Sequence, residues 1–189
     1  MPTGRNRKLL PSELDASQRA LYDAILGGPR SGQPGAAALT DEEGRLEGPF
    51  NGFLLQPSLG HALQAVGATL RYESELPDRS REIAILVVAA RRSADFESHV
   101  HEPIARSLGV TDEQLAGIRD GDYDVLDSDE AVIARAADEM VVSGDLSEAA
   151  FAELQALIGT AQVFELTAVV GYYALLALQL RVLRVPLPE

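Results

Sequence analysis

The sequence predicts an all-α protein, a single domain of seven or eight helices. Three observations lead there. The chain has 189 residues, close to the length of one domain against a prior of about 150. Apolar residues recur at helical spacing in segment after segment, each bracketed by capping residues or by a Gly/Pro stop. No segment alternates apolar and polar residues as a half-buried strand does. The apolar fraction of 46% is that of an ordinary globular chain, long enough to bury one core without covalent staples. The expected organisation is one helical domain over 1–189. Residues 1–50 supply an N-terminal helix and a Gly/Pro-rich loop, and residues 51–189 supply the core.

Residues 12–27 place Leu14, Leu21, Ile25 and Leu26 on one helical face, and Gly27-Gly28-Pro29 stops that helix. Residues 28–50 are rich in glycine and contain Pro29, Pro34 and Pro49, which reads as a long loop covering a site or lining an interface, or as a surface excursion. Ser58 is placed to cap a helix running to about Tyr72. Pro77 suits a helix start, with Asp78 and Glu82 near the positive end and Arg91-Arg92 at the negative end. The run Ile83 to Ala90 is apolar enough for a buried strand. Its alanines, its charged flanks and the Pro77 start favour helix. Ser93 or Asp95 is the expected cap of the next helix, which Gly109 terminates. Thr111 to Gln114 is a T-x-x-Q capping box. Amphipathic helices follow over Ser128 to about Val142 and Ser147 to Ile158. The last helix runs from about Ala161 to Leu183 and stops before Pro186. Its uncharged stretch, Leu166 to Leu180, is shorter than the roughly 20 residues of a bilayer span and reads as a buried helix.

Counting removes several chemistries. There is no cysteine, so disulfides, thiol nucleophiles, thiol redox couples and Cys-ligated metals are absent, in keeping with a reducing cytoplasmic location. The one lysine, Lys8, lies in a polar N-terminal arm, which disfavours a Schiff-base role. Sixteen basic and twenty-nine acidic residues leave a formal charge of −13. That argues against nucleic-acid and anionic-membrane partners, both of which need clustered Lys and Arg. The N-terminus has basic residues but no apolar core of a signal peptide. No G-x-S-x-G elbow, phosphate-binding loop or dinucleotide fingerprint occurs.

What remains is a pair. Glu97 and His101 stand four apart, about 40° apart around a helix axis, so their tips can meet. A carboxylate beside an imidazole fixes its tautomer and raises its proton affinity, which makes a general acid/base unit. The alternative is a surface ion pair of small energetic consequence. Pro103, two residues on, has no N–H and frees the carbonyl of His99. Glu82 sits among Ile83, Ile85 and Leu86; it lies either on a solvated stripe or buried with a partner, for which His101 is the candidate. His99 is about 200° from His101, points away from the pair and is expected to meet Glu102. A zinc or iron site would need a third ligand beside Glu97 and His101, from Glu82 or His61, and no ligand motif supports one. Arg81, Arg91 and Arg92 could hold a substrate carboxylate or simply complement a helix dipole. Phe50, Asn51, Phe53 and Tyr172 are candidate substrate-binding residues of a pocket wall; core packing is the alternative for each, and for Tyr173. His61 reads as an ordinary helix residue.

The segment REIAILVVAARRSADFESHVHEPIARSLGVTDEQLAGIR (81–119) resembles the carboxymuconolactone decarboxylase-like family, which includes alkyl hydroperoxidase D-like proteins. The similarity extends to Gly48-Pro49-Phe50, Leu55-Gln56-Pro57-Ser58, Glu165-Leu166, Val170-Gly171-Tyr172-Tyr173 and Val185-Pro186-Leu187-Pro188. The element Glu97-x-x-x-His101-Glu102-Pro103 after Arg81-Glu82-Ile83 is specific in combination. The resemblance implies an all-α protomer assembled as a trimer or hexamer, with the site on a central helical hairpin. In the peroxidase branch it implies a C-x-x-C-x-x-x-H element after a helical glutamate. Ala94 and Glu97 fall on the two cysteine positions, His101 on the histidine and Glu82 on the glutamate. The thiols are gone and the proton relay remains. Many thiol-free members carry F-E-W before the histidine, where this chain has Phe96-Glu97-Ser98.

The expectation is a cofactor-independent lyase or isomerase that needs no metal. It would move protons on a small organic acid, lactone or carbonyl compound by decarboxylation, isomerisation, dehydration or cyclisation. His101 is the proton donor or acceptor, Glu97 its partner or second base, and Glu82 the orienting carboxylate, all facing one internal pocket. The competing readings are a non-catalytic oligomeric binding protein with the same fold, and a metal-dependent enzyme using Glu82, Glu97 and His101. A small-molecule substrate and copies of the chain itself are the expected partners.

Overall fold

Helices carry the regular structure of residues 4–28 and 39–188, the part described by the computed structural model. The helices are α1 (Ala16–Leu26), α2 (Gly48–Phe53), α3 (Pro57–Tyr72), α4 (Asp78–Arg92), α5 (Asp95–Ser107), α6 (Asp112–Asp120), α7 (Ser128–Ser143) and α8 (Glu148–Leu183). Short 3-10 turns cover Pro11–Glu13 and Tyr123–Val125, and one isolated antiparallel bridge joins Thr40 to Leu46. Part of the expected Gly/Pro loop, residues 29–38, lies outside the described residues. The chain groups into two compact units. One comprises the described parts of 1–73 and 178–189; the other is Ser74–Ala177.

In the first unit, Asp15 caps α1 by accepting from the N–H groups of Ser17 and Gln18, both at 2.8 Å, and Gln18 returns a bond to Asp15. The expected helix over 12–27 therefore starts at Ala16, because Asp15 takes the cap and Pro11–Glu13 forms its own tight turn. The Gly48–Phe53 helix appears where a loop was expected. Its apolar turn is too short for periodicity to show. Asn51 ties this helix to the N-terminal arm: its amide accepts from the N–H of Leu9 and donates to the carbonyl of Arg7. Lys8 pairs with Glu47 and, at 3.5 Å, with Asp41. Gly60 lets α3 close on its neighbours, since a Cβ there would sit 2.6 Å from both Leu21 Cδ2 and the Phe53 carbonyl oxygen. The helix begins at Pro57, one residue ahead of the expected Ser58 cap, because proline needs no N–H partner at a first helical position.

In the second unit α4 is the axis, packed by α5, α6 and α7. Every residue from Ser80 to Ala89 is buried, so α4 has no polar stripe, as befits a helix enclosed on all sides. Ser93 ends it in the left-handed conformation (φ 50°). The sequence suggested Ser93 or Asp95 as the cap of α5. Neither serves: Ala94 occupies that position without a side-chain bond, because the two-residue turn commits Ser93 to closing α4. Ala94 then donates to the Ala89 carbonyl at 2.9 Å. The turn before α4 is held by Glu165 of α8, whose carboxylate accepts from the Ser74 hydroxyl (2.8 Å) and from the N–H groups of Glu75 and Leu76. Arg79 joins α4 to Glu130 of α7, to Gln114 of α6 and to the Leu108 carbonyl. Thr111 and Gln114 form the expected capping box. The two helices expected after Ser147 run together as α8, interrupted at Gly159 (φ 74°, ψ 163°). By length and composition α8 could cross a membrane; half of its most apolar stretch is buried inside the protein.

Candidate active site

The buried face of α5 consists of Glu97, His101 and Ala105, spaced by four so that they stack along one side of the helix. Pro103 does not break α5, which continues to Ser107. The face is turned toward α4, where Glu82 waits among aliphatic neighbours with 1% exposure. Nδ1 of His101 lies 2.6 Å from Oε2 of Glu82, and Nε2 lies 3.4 Å from Oε2 of Glu97. The i, i+4 pair is thus internal rather than a surface ion pair, and Glu82 is buried with a partner rather than on a solvated stripe. Tyr173 of α8 stands edge-on to the His101 ring, with centroids 5.1 Å apart at 87°. Tyr172 meets Tyr173 in the same manner at 5.5 Å.

Electrostatics sets the state of the ring. Burial works against a charged imidazole. The charge of Glu82 and the hydrogen bonds that the ring donates to Glu82 and Glu97 outweigh it, and together they hold His101 up at about 9. At neutral pH the ring is an imidazolium with both N–H groups directed at carboxylates. The two contacts are unequal. The 2.6 Å contact is a tight charge-assisted bond, while 3.4 Å is long for one. Oε1 of Glu97 is buried and has no hydrogen-bond partner, a condition that costs about 1–3 kcal/mol in a closed protein interior.

The other candidates fall elsewhere. Phe50, Asn51 and Phe53 belong to the first unit. Phe50 and Phe53 pack edge to face at 5.8 Å, and the side-chain amide of Asn51 is engaged with the N-terminal arm. Tyr172 is buried in the second unit beside Tyr173. His61 is exposed. His99 is exposed as well, and the expected contact with Glu102 gives way to stronger partners, since that carboxylate binds Arg106 at 3.1 Å and Arg119 at 2.8 Å. Arg91 pairs with Asp138, and Arg92 donates to the Val141 carbonyl. Arg81 is buried and donates to Asp78 at 2.8 Å. Tyr173 is the neighbour of His101 that residue patterns left in the core, and only the α5–α8 packing singles it out.

Two cavities occur in the second unit. A groove of about 400 Å³ runs along the outer side of α5, with His99, Glu102 and Arg106 in its wall. A cleft of about 570 Å³ lies among α7 and both halves of α8, between Met140, Phe151 and Gly171. Glu82, Glu97 and His101 line neither, so the expected opening of the cluster onto a pocket is not found in these two. Among the described residues no group of three or more His, Asp or Glu is placed to hold a metal ion. The 2.6 Å contact of Glu82 with His101 is a direct hydrogen bond with no room for an ion between its atoms.

The comparisons with known proteins agree with this fold. Residues 57–139 match the model of the carboxymuconolactone decarboxylase family. Among solved structures, the chain is similar to the alkylhydroperoxidase AhpD core of an uncharacterised peroxidase-related protein from Ralstonia eutropha, with a TM-score of 0.76 and 13% identity over 100% of this chain and 94% of that one. It is similar to the debrominase Bmp8 in complex with 2,3,4-tribromopyrrole, with a TM-score of 0.73 and 12% identity over 99% and 95%. A protein of unknown function from Agrobacterium tumefaciens, described as a putative antioxidant defence protein AhpD, shares a TM-score of 0.67 and 16% identity over 74% and 97%. No curated protein matches by sequence. Residues 57–139 of this cysteine-free chain are thus similar to the carboxymuconolactone decarboxylase family, and the chain has the helical fold of the alkylhydroperoxidase D-like structures.

Proposed function

We propose that the protein is a cofactor-independent enzyme of lyase or isomerase type, moving protons on a small organic acid, lactone or carbonyl compound. The observation that carries this reading is the His101 imidazolium held between Glu82 at 2.6 Å and Glu97 at 3.4 Å inside the helical core. Glu82 is the orienting carboxylate: its short bond sets the ring plane and keeps Nδ1 protonated. The long contact leaves the Nε2 proton as the one that can be delivered, so His101 acts as the general acid. Glu97 is the acceptor that takes a proton from substrate carbon or oxygen. Such a positioned pair contributes about 10²–10⁴-fold to a proton-transfer step. The low-dielectric surroundings strengthen both charges in the work they do.

The experiment is a substrate-blind one. The protein is incubated in heavy water with a panel of small lactones and carbonyl compounds, and deuterium incorporation at carbon is followed by NMR. Incorporation that depends on protein and is lost in His101→Ala supports the enzyme reading. A competing role as a non-catalytic binding protein gives ligand binding without exchange. We propose further that the chain works as a trimer or a dimer of trimers. Phe164, at 74% exposure, and Val142, at 71%, are large apolar side chains that the described chain leaves uncovered.

A further inference from the structure

In the Ser74–Ala177 unit two buried side chains end in an atom without a hydrogen-bond partner: Arg81 at Nε and Glu97 at Oε1. They differ in what surrounds them. Arg81 has its charge answered by Asp78. Glu97 faces His101, whose ring is also held by Glu82. We propose that Oε1 of Glu97 is the docking point for an uncharged hydrogen-bond donor of the substrate, the O–H of an enol or phenol, and that Glu97 selects against substrates presenting a carboxylate there. The inference rests on the acid/base reading of the same cluster. It narrows the substrate class to phenols, enols and enolisable carbonyl compounds rather than free acids.

The chemistry of the atoms requires a donor. A carboxylate oxygen only accepts, so the complement of an unpaired one is an O–H or N–H group. Charge bookkeeping then removes anions. Two carboxylates face a single imidazole, so even with the ring charged the cluster carries no net positive charge to receive a third carboxylate. The cluster is buried, with the Tyr173 ring edge-on to His101, and in such surroundings an unpaired like charge is least tolerated. The chain's overall charge of −13 adds a field of the same sign. An uncharged planar O–H donor meets neither objection: it satisfies Oε1 and leaves the His101 proton free to reach a second atom of the same molecule.

The test uses phenol and benzoate, matched in size and planarity, against the full chain with isotope-labelled histidine rings. His101 reports on the cluster, while the exposed His61 and His99 serve as internal controls. Phenol is expected to move the His101 signals saturably, and benzoate to bind there at least tenfold more weakly. In Glu97→Gln, which removes the charge and offers a donor of its own, the preference for phenol is expected to shrink at least tenfold. If that variant does not fold, the comparison of the two probes on the unaltered chain decides. Benzoate binding as tightly as phenol at His101, or an unchanged preference in a folded Glu97→Gln, overturns the donor assignment and leaves the acid/base reading standing. Silence of His101 toward both probes overturns both.

Discussion

Glu82 and His101 stand nineteen residues apart in sequence and 2.6 Å apart in space, each almost wholly buried. The contact joins α4 to α5 at the level where Tyr173 of α8 meets the same ring. It is a structural clamp, and in the proposed chemistry it keeps the ring charged so that the Nε2 proton can be delivered.

Its first consequence is measurable on the ring itself. In Glu82→Gln the hydrogen-bond acceptor survives but the charge is gone. Burial, which opposes the imidazolium, then loses its main counterweight. NMR titration of His101 should show its midpoint fall from about 9 toward or below the ordinary 6.5. A midpoint unmoved by the substitution would mean that Glu82 does not set the charge of the ring.

Stability should carry the same signature. The folded chain holds a proton on His101 up to about pH 9, whereas the unfolded chain releases it near 6.5. This contribution is whole below about pH 6.5 and is lost as pH rises through about 9, at up to roughly 1.4 kcal/mol per pH unit. Denaturant unfolding of the unaltered chain and of His101→Gln should give a difference that shrinks across that window. A constant difference removes the linkage.

For catalysis, His101→Ala and Glu97→Gln are each expected to lower kcat by about 10²–10⁴-fold on a substrate found by deuterium exchange. The double variant should be little worse than the poorer single one, because residues acting as one unit are not additive. Multiplicative losses would show the two acting independently, and full activity in His101→Ala would end the proposal.

Two glycines predict opposite outcomes in thermal unfolding. A Cβ at Gly117 meets Val125 Cγ2 at 2.4 Å and the Asp122 carbonyl oxygen at 2.6 Å. Gly117→Ala should therefore cost about 1–3 kcal/mol as overpacking. At Gly171, inside α8, a Cβ has nothing within 4 Å, so Gly171→Ala should stabilise the helix by about 0.5–1 kcal/mol. A Gly171→Ala variant that melts lower would mean that another copy of the chain, or a ligand, approaches the backbone there.

Light scattering tests assembly. A mass three or six times that of the chain is expected, falling when Phe164, exposed at 74% on α8, is replaced by Ser. A concentration-independent monomer rejects the trimer.

The helices, their order and most of their ends were legible in the residues, because caps, stops and apolar spacing are local properties. Thr111 with Gln114, Gly109 and the start of α4 after Pro77 all act within a few residues of themselves. Local too was the pairing of Glu97 with His101, since four residues along a helix determine a shared face whatever surrounds it. The burial of that face was not local, and neither was the meeting with Glu82, which needs the α4–α5 turn at Ser93 to bring two helices side by side. Short α2 was invisible because one turn is too brief to show a period. The roles of Glu165 and Tyr173 were hidden for the opposite reason. Their partners lie about ninety and seventy residues away, and no periodicity spans that distance. The sequence by itself determined which residues could share protons, because that follows from side-chain chemistry and helical pitch. Only the tertiary structure decided which of them meet away from water and how strongly each holds the ring, because burial and distance are set by packing between elements.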